Sequence, residues 1–310
     1  MEKSRKIHFI AVESSLMCNL AIALKGLGHQ VTGSYEQLTL LTSTNHLKHN
    51  LVPKEAGWFP ERITSDIEGV IIDSCVKSDN PELRKAQALN LPVHSIPDII
   101  LKQSLDKQRL VVIGNHGKTT ITLLIVHVLN FHHRKFDFVL SAPVQGFDNQ
   151  VKLSDAPLII IEGQDIMASC LDSTPQFLRY QHHIGVISGV EWQESEAYPT
   201  REEYIKQFAL FASSTPKGGV LVYVEFDPVI AILSSLNKPD VVLAPYKTHP
   251  SSVDGGKEML LTPGKQQVPL KISGKHNLQN ISAAQEALKR IGITAEMFYQ
   301  AIPSFEGMRN

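Results

Sequence analysis

The stretch VVIGNHGKTTIT, residues 111–122, places an apolar strand before a glycine-containing loop and an apolar helix directly after it. The loop ends in Gly117-Lys118-Thr119. A strand–loop–helix context of this kind is what a phosphate-binding loop requires. Glycines let backbone N–H groups turn towards a phosphate, and the N-terminus of the helix adds partial positive charge. The stretch therefore predicts an α/β domain with a phosphate site at this loop.

The residues that end the loop have the chemistry of a nucleotide site. Lys118 would neutralise the β- and γ-phosphates, and the Thr119 hydroxyl would ligate Mg²⁺. The longer GxxxxGK[ST] pattern is not met, because its first glycine falls on Val112. The alternative interpretation is a plain turn between strand and helix that carries an exposed lysine.

The residues before this loop alternate between strand and helix patterns. Candidate strands lie at 6–12, 29–34, 69–74 and 91–95, and candidate helices lie at 16–28 and 81–90. Strands that alternate with helices form βαβ units and a mostly parallel sheet. The polar stretch 102–109 is the candidate boundary. We therefore expect a Rossmann-like domain over residues 1–106.

The residues after this boundary show the same alternation. Candidate strands lie at 110–114, 157–163, 183–190, 218–225 and 239–246, and candidate helices lie at 119–132, 200–214 and 277–292. Thr200 is a candidate N-cap, whereas residues 251–258 are predicted to be a loop. We therefore expect an α/β central domain of the P-loop NTPase type over residues 107–310.

Composition excludes several classes of protein. The formal net charge of the 310 residues is −1, so no overall electrostatic attraction to nucleic acid or to an anionic membrane is expected. Three separated cysteines argue against a disulfide framework and favour a reducing compartment. The apolar runs are far shorter than the ~20 residues that span a bilayer. We expect a cytoplasmic protein without nucleic-acid or membrane partners.

Beyond the loop, several segments of the chain resemble the Mur ligases of peptidoglycan synthesis. The phosphate loop of that family typically reads G-T-H-G-K-T-T or G-T-N-G-K-T-T, with the short spacing found here. The other similar segments are residues 7–35, 159–166, 187–208, 218–228 and 273–284. The most similar branch joins UDP-N-acetylmuramate to L-alanyl-γ-D-glutamyl-meso-diaminopimelate, and the branch that adds L-alanine is its near relative.

This resemblance implies an ATP-dependent acid–amino-acid ligase that forms an acyl phosphate, which an amino group then attacks. It implies ATP and Mg²⁺ as cofactors and UDP-N-acetylmuramate or a related muropeptide precursor as substrate. Lys118 and Glu162 would be catalytic, and the metal would be held by Thr119, Glu162 and Glu194. The residues implied to contact the nucleotide are Gly114, Asn115, His116, Gly117, Lys118, Thr119, Thr120, Asp227, His276, Asn277 and Asn280.

The same residues also have plainer interpretations. Glu162 ends an apolar strand, where a charge costs free energy unless it has a partner, and this favours a functional role. Asn277 and Asn280 stand at a helix start, where asparagine often serves only as a cap. Asp227 precedes a proline and could be a turn residue. Glu194 lies in an acidic run that could be a solvated loop.

The chain also departs from the family pattern. Residues 11–15 read Ala-Val-Glu-Ser-Ser where the family has a glycine-rich G-x-G-G-S loop for the UDP pyrophosphate, and Glu13 adds like-charge repulsion. Tyr35 replaces an acidic residue, and Gln193-Glu194 replaces an Asp-His pair. The E-G-D-E segment of the family has become Glu162-Gly163-Gln164-Asp165. The family also has a third domain, which is expected to be absent after Asn310.

Two hypotheses follow. In the first, the chain is the first two domains of a Mur-type ligase. In the second, it is a catalytically degenerate relative that binds a nucleotide, a muropeptide fragment or a separate protein partner. An unrelated P-loop NTPase is a third, generic alternative. We expect an impaired UDP site, a partly retained ATP site, and no ligase activity from this chain alone.

Overall fold

The strands and helices are those of a computed structural model that describes residues 4–37, 49–144, 149–225, 229–234, 236 and 238–307. Within these residues the strands are β1 (Lys6–Ile10), β2 (Gln30–Gly33), β3 (Gly69–Ile72), β4 (Val93–Ser95), β5 (Gln108–Ile113), β6 (Asp137–Val139), β7 (Val151–Lys152), β8 (Leu158–Glu162), β9 (Met167–Ser169), β10 (Asp172–Pro175), β11 (Ile184–Ile187), β12 (Val220–Val224), β13 (Val242–Tyr246), β14 (Ser251–Asp254), β15 (Lys257–Leu261) and β16 (Gln267–Pro269).

The helices of the described residues follow the strands closely in sequence. They are α1 (Ser15–Gly26), α2 (Pro81–Ala88), α3 (Ile96–Lys102), α4 (Lys118–Phe131), α5 (Gln176–Arg179), α6 (Arg201–Ser214), α7 (Val229–Ser234), α8 (Lys275–Lys289) and α9 (Ala295–Ala301), with 3₁₀ turns at Pro60–Arg62 and Ile302–Ser304. No helix in this part of the chain combines the length and the apolar character needed to cross a membrane.

The chain forms two units, each built from several segments. The first unit comprises Met1–Leu105, Leu140–Asp155 and Asp165–Tyr180, and the second comprises Asp106–Val139, Ala156–Gln164 and Gln181–Asn310. These two units are compact groups of residues and need not coincide with functional domains. The functional domains predicted at 1–106 and 107–310 stay a prediction.

The first unit contains the predicted parallel sheet. Its four strands lie in the order β2-β1-β3-β4, and every pairing is parallel. Helix α1 follows β1 and is capped by Ser14, whose side chain accepts a hydrogen bond from the Met17 N–H. Phe9 and Ile71 are fully buried in neighbouring strands. A parallel sheet covered on both faces requires such apolar strands, and the Rossmann-like prediction is confirmed.

The second unit is built on a larger parallel sheet. Its strands lie in the order β13-β12-β11-β5-β8-β6, and each pair is parallel. The central strand β5 is buried from Arg109 to Ile113, and α4 begins at Lys118 after a four-residue loop. The loop between them lies at the carboxyl edge of the sheet, which is where open α/β sheets bind their ligands.

One sequence prediction about secondary structure is wrong. Residues 251–258 were expected to be a loop, but β14 and β15 pair there as an antiparallel hairpin. Its two central residues, Gly255 and Gly256, have φ of 55° and 80°. Two consecutive left-handed residues are what a type I′ turn requires, and such turns match the twist of a hairpin. The pattern was missed because Val253 is 74% exposed, so the strand has no buried apolar face.

Strand β11 is also shorter than predicted. The apolar run suggested 183–190, yet the strand ends at Ile187. The Ser188 N–H still bonds the Ile113 carbonyl at 2.9 Å, but the Ser188 hydroxyl donates to the His116 carbonyl at 2.6 Å. The backbone after Ile187 therefore contacts the phosphate loop and lies along it.

Candidate functional site

The loop between β5 and α4 has a backbone that only glycine fits at two positions. Gly114 has φ of 132° and Gly117 has φ of 80°. A Cβ atom on Gly114 would lie 2.2 Å from the Ser188 Oγ, and one on Gly117 would lie 2.1 Å from the Asn280 Oδ1. Conformation and close approach therefore fix both glycines independently.

Lys118 is the first residue of α4, and its side chain folds back over the loop. Its Nζ donates a hydrogen bond to the Gly114 carbonyl at 2.5 Å, and the Ile121 N–H bonds the Gly117 carbonyl at 2.8 Å. The first N–H groups of a helix have no partner within that helix. The loop therefore combines these donors with one flexible ammonium group, which is the equipment of an anion site.

Thr119 and Glu162 lie in direct contact. The Thr119 Oγ1 donates to the Glu162 Oε1 at 2.5 Å. Glu162 ends β8, is only 2% exposed, and pairs in register with Val112 of β5. The parallel pairing thus places a carboxylate beside the first turn of α4, where the two groups present hard oxygen ligands of the kind that Mg²⁺ prefers.

A pocket of ≈ 920 Å³ opens beside the loop. Its lining joins the loop, the backbone after β11, the end of β12, the first residue of α7 and the start of α8, namely His116, Gly117, Ser188, Gly189, Val190, Glu191, Val224, Val229, Lys275, His276, Gln279 and Asn280. The valines give it apolar walls, and the remaining groups are polar. A nucleotide needs both, an apolar wall for its base and polar groups for sugar and phosphates.

Four of the expected nucleotide contacts therefore line one pocket, although the loop and α8 are distant in sequence. His116 and Gly117 come from the loop, and Asn280 from α8 touches Gly117. His276 lines the same pocket. Asn277 does not line it, because its Nδ2 donates to the Ser273 carbonyl at 2.8 Å, which is a contact within the helix start.

The remaining expected residues are more scattered. Thr120 lies half-buried in the first turn of α4. Glu194 is exposed in the segment between β11 and α6. Asp227 lies outside the described residues. Among the residues that are described, no group of three or more His, Cys, Asp or Glu side chains is arranged to hold a metal ion. The expected oxygen ligands that meet are those of Thr119 and Glu162.

Several residues of the site were not expected from the sequence. Glu191 lines the pocket, and its carboxylate lies 2.8 Å from the His116 Nε2, with both side chains mostly exposed. Ser188 bonds the loop backbone, as described above. Both follow the end of β11 at Ile187; Ser188 lies within the apolar run 183–190, and Glu191 begins the acidic segment after it. Their spacing carries no motif that could have identified them.

In the first unit, the Glu13 side chain bonds the backbone that follows β2. The Glu13 Oε1 accepts hydrogen bonds from the N–H groups of Glu36 at 2.5 Å and Gln37 at 3.1 Å, at the carboxyl end of β2. Ala11 has φ of 64°, in the region that favours glycine. Ser14 donates to the Asp73 Oδ2 at 2.7 Å. A protein carboxylate thus occupies backbone donors at the carboxyl edge of this sheet.

The chain is similar to a known family over most of its length and to individual members of that family. A model of the Mur ligase middle domain matches residues 112–288, and a model of the Mur ligase family catalytic domain matches residues 6–105. The UDP-N-acetylmuramate–L-alanine ligase of Carboxydothermus hydrogenoformans is 28% identical over 324 residues, covering 100% of this chain and 67% of that protein. The Aquifex aeolicus ligase of the same name is 26% identical, covering 98% and 67%.

Solved structures share the fold at lower identity. The UDP-N-acetylmuramate:L-alanyl-gamma-D-glutamyl-meso-diaminopimelate ligase from Neisseria meningitides superposes with a TM-score of 0.88 at 20% identity, covering 99% of this chain and 100% of that one. The UDP-N-acetylmuramate-alanine ligase from Thermotoga maritima gives 0.73 at 21% identity, covering 98% and 69%. The chain spans about two thirds of the length of the curated relatives named above.

Proposed function

Because the chain belongs to the Mur ligase family, we propose that it binds Mg-ATP in the pocket beside the phosphate loop. The observation that carries this proposal is the pocket itself, which joins His116 and Gly117 of the loop to His276 and Asn280 of α8. Residues separated by roughly half of the chain thereby line one cavity with apolar walls and polar ends, as nucleotide sites do.

The residues present fit both cofactors. Gly114 and Gly117 carry no Cβ and have φ of 132° and 80°, so the backbone N–H groups of the loop can turn towards a phosphate. Lys118 would leave the Gly114 carbonyl and neutralise the terminal phosphates. Thr119 and Glu162 would hold Mg²⁺, whose chemistry here is to neutralise charge on the β- and γ-phosphates.

We further propose that this nucleotide site serves an ATP-dependent ligase of peptidoglycan synthesis or recycling in the cytoplasm. The substrate would be UDP-N-acetylmuramate, and the acceptor an amino acid or a peptide, as the names of the relatives indicate. The protein's part in such a reaction is to position the groups and to provide positive charge. The chain would contribute the first two domains of that ligase.

A second function is favoured by the first unit. There the Glu13 carboxylate occupies the N–H groups of Glu36 and Gln37, and a negative group repels the pyrophosphate of a UDP-sugar. Glu194, in place of a family histidine, is exposed. These features support a non-catalytic relative that binds nucleotide or a protein partner.

Calorimetric titration with Mg-ATP tests the first proposal. We expect micromolar binding by the wild-type chain and its loss in Lys118→Ala, because the variant cannot neutralise the phosphates. The matched control is Lys217→Ala, which removes an 84% exposed lysine from the same unit. Absence of heat with the wild-type chain would overturn the proposal.

An ADP-release assay with UDP-N-acetylmuramate and L-alanine or the tripeptide separates the two functions. Mg-ATP binding together with turnover supports the ligase. Mg-ATP binding without turnover, also after addition of a third domain from a relative, supports the non-catalytic relative.

A further inference from the structure

Asn115 connects the phosphate loop to two other segments of the second unit. Its Oδ1 accepts from the Glu191 N–H at 2.6 Å, and its Nδ2 donates to the Tyr204 hydroxyl at 2.8 Å. Its own N–H bonds the Gly189 carbonyl at 3.3 Å. An amide side chain presents its acceptor and its donors on two separate atoms, so Asn115 can hold both partners at once.

The Tyr204 hydroxyl is held in place by its surroundings. The side chain is 3% exposed in the first turn of α6. Its ring meets the edges of Tyr198 and Phe208 with centroids 5.0 and 5.1 Å apart. The Trp192 Nε1 in turn donates to the Tyr198 carbonyl at 3.0 Å. Packing on several sides fixes the rotamer of a buried aromatic side chain, so Asn115 bonds to a rigid partner.

The segment that Asn115 bonds through Glu191 forms one wall of the pocket. Residues 188–191 all line it. Ser188 donates to the His116 carbonyl, and Glu191 pairs with the His116 side chain. The same wall therefore contacts the loop at two successive residues, Asn115 and His116. Displacing Asn115 would disturb both the loop and the wall.

We infer that Asn115 is a positioning residue, which through Tyr204 and the Glu191 N–H holds the phosphate loop against the 188–191 wall in the conformation that receives phosphates. This inference rests on the proposed function as far as the nucleotide is concerned. A loop held in its binding conformation loses less entropy when the ligand arrives. Tyr204 thus supports the nucleotide site indirectly, through its hydrogen bond with Asn115.

The test uses Tyr204→Phe, which removes one hydroxyl and keeps the ring packing. The matched control is Tyr299→Phe, which removes the phenol that bonds the His249 Nε2 at 3.0 Å elsewhere in the same unit. Hydrogen exchange of the nucleotide-free proteins is measured on the peptide covering residues 114–120. We expect this peptide to exchange faster in Tyr204→Phe but not in Tyr299→Phe, because a loop that has lost its hydrogen bond to Tyr204 opens more often.

Calorimetry with Mg-ATP gives the second readout. One hydrogen bond contributes about 0.5–1.5 kcal/mol, so we expect the Kd to rise roughly 3- to 10-fold in Tyr204→Phe and to stay unchanged in Tyr299→Phe. Asn115→Ala should weaken binding at least as much. Adding Tyr204→Phe to Asn115→Ala should then have little further effect, since the shared contact is already lost.

The outcomes separate the two proposals. Unchanged exchange in Tyr204→Phe overturns the positioning role, even if the wild-type chain binds Mg-ATP. An unchanged Kd with faster exchange overturns it as well. If Tyr204→Phe exchanges faster but the wild-type chain binds no Mg-ATP, the proposed function and the nucleotide part of this inference are overturned. Asn115 then only fixes the conformation of the loop.

Discussion

At the scale of single residues, Gly117 is the most constrained position of the candidate site. Its φ of 80° is one that a residue with a Cβ adopts only with strain, and Asn280 fills the space where that Cβ would go. Gly292 offers a natural comparison, since its φ is 82° but nothing lies within 4 Å of its Cβ position. The two glycines therefore separate backbone strain from the loss of the close contact.

We expect Gly117→Ala to raise the Kd for Mg-ATP at least about tenfold, because strain of 1–3 kcal/mol and a displaced Asn280 both act on the loop. Gly292→Ala should lower stability by a similar strain and leave the Kd unchanged. Calorimetry and urea unfolding on the three proteins measure the two effects. Equal binding by Gly117→Ala and wild type would contradict the assignment of this loop to phosphate.

His182 is a second informative residue, because its environment keeps it neutral. Burial lowers its pKa to about 3, helped by the nearby charges of His183 and Lys238. The ring stacks on Phe211 with centroids 3.9 Å apart, and its Nε2 lies 2.8 Å from the Thr215 Oγ1. His182 therefore has a structural role.

The pH dependence of stability follows from that shift. An unfolded histidine binds a proton below a pH of about 6.5, whereas folded His182 does so only near pH 3. The unfolded state thus binds more protons, and the free energy of unfolding falls as the pH falls from about 6.5 towards 3. We expect urea unfolding to show a weaker decline over this range in His182→Asn. The exposed His133→Asn control should keep the wild-type slope.

At the scale of elements, helix α6 links local capping to the site. Thr200 was predicted as its N-cap, and its side chain accepts from the Glu203 N–H at 3.3 Å. Thr294 caps α9 in the same way, accepting from the Met297 N–H at 3.2 Å. Both helices belong to the second unit, but only α6 carries Tyr204, the partner of Asn115.

We expect Thr200→Ala and Thr294→Ala to lower the free energy of unfolding by about 1 kcal/mol each, the usual effect of losing a threonine cap. Only Thr200→Ala should also weaken Mg-ATP binding, because fraying of the first turn loosens Tyr204. Chemical unfolding gives the first quantity and calorimetry the second. Equal weakening by both variants would show that the effect on binding is general destabilisation.

At the scale of the whole molecule, the two units present different groups at their candidate ligand sites. In the second unit the Lys118 ammonium group lies over the loop at the start of α4, whereas in the first unit the Glu13 carboxylate accepts from the N–H groups of Glu36 and Gln37. A ligand that binds the native state raises stability by RT ln(1 + [L]/Kd), about 2.7 kcal/mol at one hundred times the Kd. Ligand-induced shifts in melting temperature therefore report on each site.

We expect Mg-ATP to raise the melting temperature and UDP-N-acetylmuramate to leave it unchanged, because a carboxylate already fills the donors and repels the pyrophosphate. Mg²⁺ alone and UMP are the controls. A clear rise with UDP-N-acetylmuramate at micromolar concentration would contradict the impaired UDP site.

Much of the fold could be predicted because the pattern of apolar residues along the chain indicates its strands and helices. Apolar runs located the parallel strands β1, β3, β5 and β8, and the loop from Gly114 to Thr119 predicts a phosphate site. Their ends were less certain, and the hairpin at 251–258 was missed, since its first strand, β14, has no buried residue. Periodicity reports which face is buried, so it is silent where neither face is.

The amino-acid order was sufficient to predict the alternation of strands and helices, the glycines of the loop, and the placement of Lys118 and Thr119 at the start of a helix. Each of these features depends on neighbours in sequence. The partners across the chain were not accessible in this way. Thr119 meets Glu162 across 43 residues and Asn115 meets Tyr204 across 89. Such contacts depend on where distant strands end and on which side chains fill the space between them, and those positions exist only once the sheet has formed.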